Sequence, residues 1–491
     1  MNNHDAENAI NPSKDGKRLL LAFYGDDFTG STDALEFLSR AGARTVLFME
    51  PPSAPQLQRY PDLDAIGIAG MTRAMAPKEM EATLRPVFRM LAGLGVPHVH
   101  YKVCSTFDSS PSIGSIGKAI DIGAEVFGAR FVPVLGGAPA LGRYCVFGNL
   151  FARMGIGSGG RIYRLDRHPS MSKHPVTPAD ESDLRVHLSR QTSRVIGLLD
   201  ILGLELPLQE QRAVLESSEV TLIDLLYETQ LAGIGRLLDG YGGHAGPEHG
   251  GSDGAEPRHG GSGRTLFTVG SSAVEMALGE HWQATGRLVP STEWPVPGRA
   301  EPLLVASGSC SPVTAGQIAW AREQGFAEIA LDVAAVASWG NAAADVGGRP
   351  EAWAGAGDLV QDALAYLAEG RNLILHTGHT QAISAPAALL GTGLGRLVRA
   401  IAAEIRGRTP GSDVPETRGL RRLVIAGGDT SSYAARALGI EAVEMICPLI
   451  PGAPLCRVHA PGSPVDGMEI NLKGGQVGGE DYFGKLVEGK K

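Results

Sequence analysis

Two apolar runs in this chain each stop abruptly at a tight turn, and the two turns lie near opposite ends of the sequence. Residues 19–24 run into Gly25-Asp26-Asp27-Phe28-Thr29-Gly30-Ser31-Thr32-Asp33, and residues 423–426 run into Gly427-Gly428-Asp429-Thr430-Ser431-Ser432. Each pattern predicts a buried strand, a turn carrying acids and hydroxyls, and then a helix. Open α/β sheets bind their ligands at this position, outside the carboxyl ends of the strands. Two such units so far apart predict an α/β protein of two lobes with mainly parallel sheets. Each lobe would bring one ligand to an active-site cleft between them.

The intervening sequence keeps the same rhythm. Short apolar runs at 45–48, 65–69, 98–103 and 131–135 alternate with helical patterns at 33–41 and 77–94, as in a doubly wound sheet. A chain of 491 residues is also too long for one ordinary core. The clearest boundary is 242–263, a stretch of Gly, His, Pro, Ser and a few charges with no large apolar residue. Such a segment cannot bury enough surface to offset its ordering entropy. The expected division is therefore a disordered lead-in at 1–17, a first lobe at 18–241, a flexible insertion at 242–263 and a second lobe at 264–491. His244, His249 and His259 of the insertion read either as metal ligands or as part of a solvated loop.

A net charge of −9 argues against nucleic acid or an anionic membrane as the partner. Residues 1–17 lack the apolar core of a signal peptide. The chain also has no apolar run of about 18 residues, the length that a membrane span needs. Its five cysteines show no metal-type or Cys-x-x-Cys spacing, which fits reduced thiols in a cytoplasmic enzyme. A homodimer is the expected assembly for such an enzyme.

Four Gly-Ser turns are expected at strand ends in the second lobe. They are Gly270-Ser271-Ser272, Ser307-Gly308-Ser309-Cys310-Ser311, the Gly427-Gly428-Asp429-Thr430 turn, and Gly474-Gly475-Gln476-Val477-Gly478-Gly479. Small turns expose backbone N–H groups, and at a helix N-terminus these make an anion site. Converging on one cleft, they would cradle a nucleotide polyphosphate. The chain has no Walker A sequence, and no Gly-x-Gly-x-x-Gly follows its first strand.

The first lobe carries different chemistry. Asp26 and Asp27 read either as a base for a substrate hydroxyl or a holder of metal-linked water, or as helix caps. Arg73 follows the run 65–69 and reads either as a two-pronged partner for a substrate carboxylate or as a surface arginine. Lys102 precedes Ser105-Thr106-Phe107-Asp108-Ser109-Ser110, either a hydroxyl-recognition loop or polar residues beside an exposed edge charge. Asp166, His168 and His174 do not match a metal-binding helix and read as a substrate-contacting loop.

Taken together, the turns at 25–33, 70–73, 270–272, 307–311, 427–432 and 473–479 resemble the four-carbon acid sugar kinase family over almost the whole chain. This family acts on threonate, erythronate, 3-oxo-tetronate and related acids. The resemblance implies an N-terminal lobe for the sugar acid and a C-terminal lobe for ATP. Asp26, Asp27, Arg73 and Lys102 would lie on the sugar-acid side, and Ser309, Gly427, Gly428, Asp429, Thr430 and Gly475 would contact ATP. It further implies transfer of the γ-phosphoryl group to a terminal hydroxyl, with Mg²⁺ neutralising the phosphates.

One departure stands out. Many members carry Asp-Ser-Thr-x-Arg-Gly where this chain has Cys104-Ser105-Thr106-Phe107-Asp108-Ser109. Cys104 replaces an acid and Asp108 a cation, which points to a differently placed carboxylate or a branched skeleton such as 3-oxo-isoapionate. Cys104 itself reads as a small buried thiol. A non-catalytic binding protein of the same fold and a hydrolase or aldolase of a phosphorylated sugar are the competing readings.

Overall fold

The computed structural model describes residues 19–154, 160–174, 176–242, 265–342, 353, 355–378, 385–407 and 419–490. The expected lead-in, and the expected insertion apart from Gly242, lie outside the described residues.

The strands of the first half are β1 (Leu21–Gly25), β2 (Thr45–Phe48), β3 (Ala65–Ala69), β4 (His98–Lys102) and β5 (Val132–Leu135). They continue as β6 (Arg143–Val146), β7 (Asn149–Arg153), β8 (Ile162–Arg164), β9 (Ile196–Leu199), β10 (Val220–Ile223) and β11 (Leu266–Gly270). The second half supplies β12 (Leu303–Ser307), β13 (Ala327–Ala330), β14 (Leu373–His376), β15 (Arg422–Ala426), β16 (Ala442–Ile450), β17 (Ala453–His459) and β18 (Glu469–Lys473).

All but three of these strands form one continuous sheet. Its order is β13-β14-β12-β15-β18-β17-β16-β2-β3-β1-β4-β11-β5-β10-β9. β6, β7 and β8 make a separate small antiparallel sheet. Strands such as β1, β3 and β15 are buried at every position. Their continuous apolar runs follow from helices covering both faces of a parallel sheet.

The halves join through β2 and β16, where Phe48 pairs with Ala442 and Leu47 with Val443. That pairing is antiparallel, as are β16 with β17 and β17 with β18. The two parallel halves therefore run in nominally opposite directions. Six interstrand steps separate β15 from β1. At roughly 20–25° of twist per step they accumulate about 120–150°. That rotation turns the carboxyl ends of both halves toward a common side. One buried apolar cluster also crosses the junction, from Leu35 and Leu38 through Val443 and Cys456 to Leu423 and Ile470.

The position of β11 corrects the expected division at 242–263. A second lobe beginning at 264 would include β11, yet β11 lies between β4 and β5 of the first half. His98–Lys102 pairs with Leu266–Gly270 along the whole strand. The following helix, Ala273–Ala284, packs against the Phe28–Ala41 helix. The change of lobe thus falls between Ala284 and Leu303. Among the described residues, no helix is long and apolar enough to cross a membrane.

Candidate active site

The first-lobe site grows out of β1. Asp26 continues that strand's pairing, its N–H donating to the Lys102 carbonyl at 2.8 Å. Asp27 leaves the strand and caps the Phe28–Ala41 helix, with its Oδ1 accepting from Gly30 N at 2.9 Å. The helix-capping reading of Asp27 is thus realised, and so is a cluster of charge beside it. Arg73 donates from Nη2 and Nε to Asp26 Oδ1 and Oδ2 at 3.0 and 3.3 Å. Its Nη1 lies 2.9 Å from Asp27 Oδ2. Arg73 therefore grips the two aspartates, rather than presenting a free fork to a substrate carboxylate.

The two carboxyls are driven apart electrostatically. Burial raises the Asp26 carboxyl above the usual range, with Arg73 opposing and Asp27 reinforcing. Burial acts on Asp27 in the same sense, but the Arg73 and Lys102 charges and the bonds from Thr29 and Gly30 outweigh it, so Asp27 is held low. Lys102 is buried at the end of β4, with Nζ 3.9 Å from Asp33 Oδ2. A Cβ on Gly30 would stand 2.1 Å from that Nζ and 2.4 Å from Asp27 Oδ1. Only glycine lets the ammonium and carboxylate close over this first helical turn.

Asp33 has a larger electrostatic part than its place in the turn suggested. Burial pushes its carboxyl up to about 7, against the pull of Lys102. Unfolded, it would titrate near 3.8, so between pH 4 and 7 the unfolded chain releases a proton that the folded chain keeps. Its stabilising contribution is full below about pH 4 and is lost as pH rises through 7. Asp33→Asn should remove this decline. Comparing urea midpoints at pH 5 and pH 8, the wild type should lose about 2 kcal/mol more than the variant. Equal losses in both proteins would refute the assignment.

The loop after β4 folds as a turn, with Phe107 N donating to the Cys104 carbonyl at 2.9 Å and Phe107 at φ +54°. Thr106 Oγ1 lies 3.0 Å from Cys104 Sγ, and Ser105 sits between them, half-buried. Cys104 and Asp108 are within electrostatic reach of Arg73. Burial, reinforced by Asp108, pushes the Cys104 thiol up to about 11, so it is protonated near neutral pH and is no nucleophile there. Further along, His168 Nδ1 accepts from the N–H groups of Ser170 and Met171, and His174 Nδ1 accepts from Thr177 N. Asp166 pairs with Arg164. These three residues organise their own loop.

On the second-lobe side, three of the four Gly-Ser turns converge. Gly308 N donates to the Ala426 carbonyl at 3.0 Å, and Gly427 N donates to the Lys473 carbonyl at 3.0 Å. Ser307 and Ser309 are buried, with Ser309 N reaching Ser307 Oγ at 3.4 Å. Gly475 approaches so closely that a Cβ there would meet Ser309 Oγ at 2.8 Å. Gly474 begins the same turn, its carbonyl accepting from Val477 N at 3.3 Å. Gly428 opens the Gly428–Ala437 helix, and Thr430 Oγ1 is buried there with no partner among the described residues. The Asp429 side chain lies outside the described residues. Beneath these turns, Lys473 donates to Thr314 Oγ1 at 3.0 Å, and Thr314 in turn donates to the Gly475 carbonyl. Burial lowers Lys473 to about 7.

Ser271 does not join this group. It follows β11 in the first half and donates to the Gly137 carbonyl at 3.2 Å. It was expected with the nucleotide turns because β11 was expected to open the second lobe, and it moves with that strand.

The two sets of residues meet. Asp26, Asp27 and Arg73 line one pocket with Gly428, Ser432 and Tyr433. Arg436 anchors the nucleotide-side helix across it, donating to the carbonyls of Met49 and Ala69 at 2.7 Å each. Among the described residues, no cluster of three or more His, Cys, Asp or Glu side chains forms a ready metal cage.

Two α/β halves that close their strand ends on one pocket, one end lined by carboxylates and a guanidinium and the other by small hydroxyl turns, have the layout of a small-molecule kinase. Residues 21–245 match a family model described as a sugar-binding N-terminal domain, and residues 304–483 match a nucleotide-binding C-terminal domain. The chain belongs to the four-carbon acid sugar kinase family, and it is a phosphotransferase with an alcohol group as acceptor. It is 41% identical to the 3-oxo-isoapionate kinase of Paraburkholderia graminis over 96% of this chain and 95% of that one. It is 29% identical to a 3-oxo-tetronate kinase of Methylobacterium radiotolerans over 96% and 99% of the two chains. A solved Salmonella typhimurium protein superposes with a TM-score of 0.68 at 26% identity, covering 96% of this chain and 99% of that one.

Proposed function

We propose that this kinase transfers the γ-phosphoryl group of ATP to a terminal hydroxyl of a branched 3-oxo sugar acid of the 3-oxo-isoapionate type. The observation that carries this reading is the 41% identity to a 3-oxo-isoapionate kinase, against 29% to a 3-oxo-tetronate kinase at the same coverage of this chain. The substituted loop at Cys104 and Asp108 supports it, since a changed acid and a changed cation beside the pocket favour a different acceptor shape.

In the proposed mechanism Asp26 takes the proton of the substrate hydroxyl. Its raised basicity and its freedom from capping bonds suit it to that role better than Asp27, whose oxygens already serve Gly30, Thr29 and Arg73. Asp27 and Arg73 hold Asp26 in register. The hydroxyl oxygen bonds to the γ-phosphorus as the bond to the bridging oxygen breaks, and ADP leaves. The turns at Ser307, Gly308, Ser309, Gly427, Gly428, Thr430, Gly474 and Gly475 would surround the phosphates: the Gly308 and Gly427 N–H groups tie the turns together, and the start of the Gly428–Ala437 helix with the Thr430 hydroxyl would meet the anion. Mg²⁺ bound with the nucleotide would neutralise phosphate charge, a role that needs only one or two protein carboxylates. Catalysis is then mainly positioning and electrostatics.

An ADP-release assay with Mg-ATP across threonates, erythronates, 3-oxo-tetronates and 3-oxo-isoapionate tests the reading. The kcat/KM for 3-oxo-isoapionate should exceed that for every linear acid by about 10-fold or more, the scale on which a mismatched pocket discriminates. Equal or better turnover of a linear acid would overturn the branched assignment. Silence across the panel in protein that binds ATP would defeat this reading of the substrate.

A further inference from the structure

A substrate with a carboxylate needs a cation with free donors, and the cations of the first-lobe pocket are mostly committed. Arg73 spends Nε, Nη1 and Nη2 on Asp26 and Asp27. Lys102 is walled in by Asp33, Asp27 and the Gly30 turn. A third cation comes from the loop that follows β5, where Arg143 opens β6. Arg143 is only 9% exposed. Its Nη1 is held by main-chain carbonyls, Leu141 at 3.0 Å, Gly142 at 3.5 Å and Arg153 at 3.2 Å. Its Nε is buried with no partner, and Nη2 makes no hydrogen bond among the described residues. One side of the guanidinium is thus clamped, while the Nε–Nη2 edge, the fork that matches a carboxylate, is unused.

The location fits as well. Cys104 and Asp108 lie in the electrostatic surroundings of both Arg143 and Arg73, and Asp33 also acts on Arg143. Arg143 thus shares one charge cluster with the Cys104–Asp108 loop and with Asp33, which neighbours Lys102. An unpaired buried guanidinium edge is costly unless something bonds to it.

We propose that the Nε–Nη2 edge of Arg143 anchors the carboxylate of the acceptor substrate. The proposal rests on the reading of that substrate as a sugar acid. It would return to this charge cluster the cation that Asp108 does not provide, from a different strand.

The test compares wild type, Arg143→Gln and Arg143→Lys with the best acid of the panel, and with the same carbon skeleton carrying a hydroxymethyl group in place of the carboxylate. Arg143→Gln should raise KM for the acid about 10- to 100-fold, the scale of a lost charge-assisted pair, with little change in KM for ATP. Arg143→Lys keeps the charge without the fork and should fall between. The preference for the acid over the neutral analogue should collapse in Arg143→Gln. A structural arginine would lower both substrates alike and leave that preference intact, which would overturn the proposal. If Arg143→Gln does not fold, the same preference measured in Arg143→Lys decides, and an unchanged value there refutes the anchor. A wild type that turns over no acid in the panel defeats the substrate reading instead.

Discussion

Asp26→Asn should lower kcat by about 10²- to 10⁴-fold, the usual contribution of a positioned acid–base group, while KM for ATP stays within about twofold. Asparagine keeps the shape of the side chain and one oxygen for Arg73, so the fold of the turn survives. What it loses is the ability to take a proton at the point where Asp26 meets the pocket. Asp27→Asn acts differently. Asn caps a helix about as well as Asp, so Gly30 N keeps its acceptor, but one of the two carboxylates that Arg73 holds is neutralised. Its loss of about 100-fold should come with a lower Tm, because the Arg73 guanidinium loses a charged partner. Single-turnover rates and thermal midpoints measured on both variants separate the roles. A rate near that of the wild type in Asp26→Asn would remove Asp26 from the chemistry.

Gly427→Ala should lower kcat/KM for ATP by about 100-fold while sparing sugar-acid binding. Gly427 sits at φ +135°, ψ 129°, a conformation open essentially to glycine, so the methyl group brings strain of about 1–3 kcal/mol. It also brings a clash. Its Cβ would lie 2.1 Å from Thr430 Oγ1 and 3.4 Å from Ser309 N. The Thr430 hydroxyl would have to swing away, and with it a group proposed to face the phosphates. Calorimetric titration with each substrate separately checks the split. Undiminished ATP affinity in the variant would mean that this turn does not bind nucleotide.

The candidate site was legible in the sequence where polar and charged residues sit at the end of a strand. Asp26, Asp27 and Arg73 each follow an apolar run and Lys102 lies near the end of one, and the switch from strand pattern to turn announces them. Their pairings were not legible, because Arg73 meets Asp26 across 47 residues and only the sheet order brings them together. Sheet order also defeated the reading of β11. Its run looks like any buried strand, and nothing local says which neighbours it chooses. Arg143 was missed because it lies in a short antiparallel patch without a helical partner. A signal was present all the same: β5 runs into Gly136-Gly137, the same strand-to-glycine stop that marks β1 and β15. The β16–β17 hairpin escaped for another reason. Pro448, Pro451 and Pro454 interrupt its pattern, and the register shifts twice between Met445 and Ile450. Prolines and bulges disguise a strand that tertiary pairing then rescues.

The continuity of the sheet across both halves also bears on how such a protein can be taken apart or recombined. Severing the chain between the halves would strip β2 of β16 and leave each fragment with a bare row of backbone donors and acceptors. Such edges recruit other chains and drive aggregation. Neither half is therefore a free-standing module. A lobe exchanged between relatives must bring a β2 or a β16 that can be stitched to the other in the Phe48–Ala442 register. Inheritance of acceptor and nucleotide specificity is consequently tied together by a seam of main-chain hydrogen bonds that lies outside both binding sites.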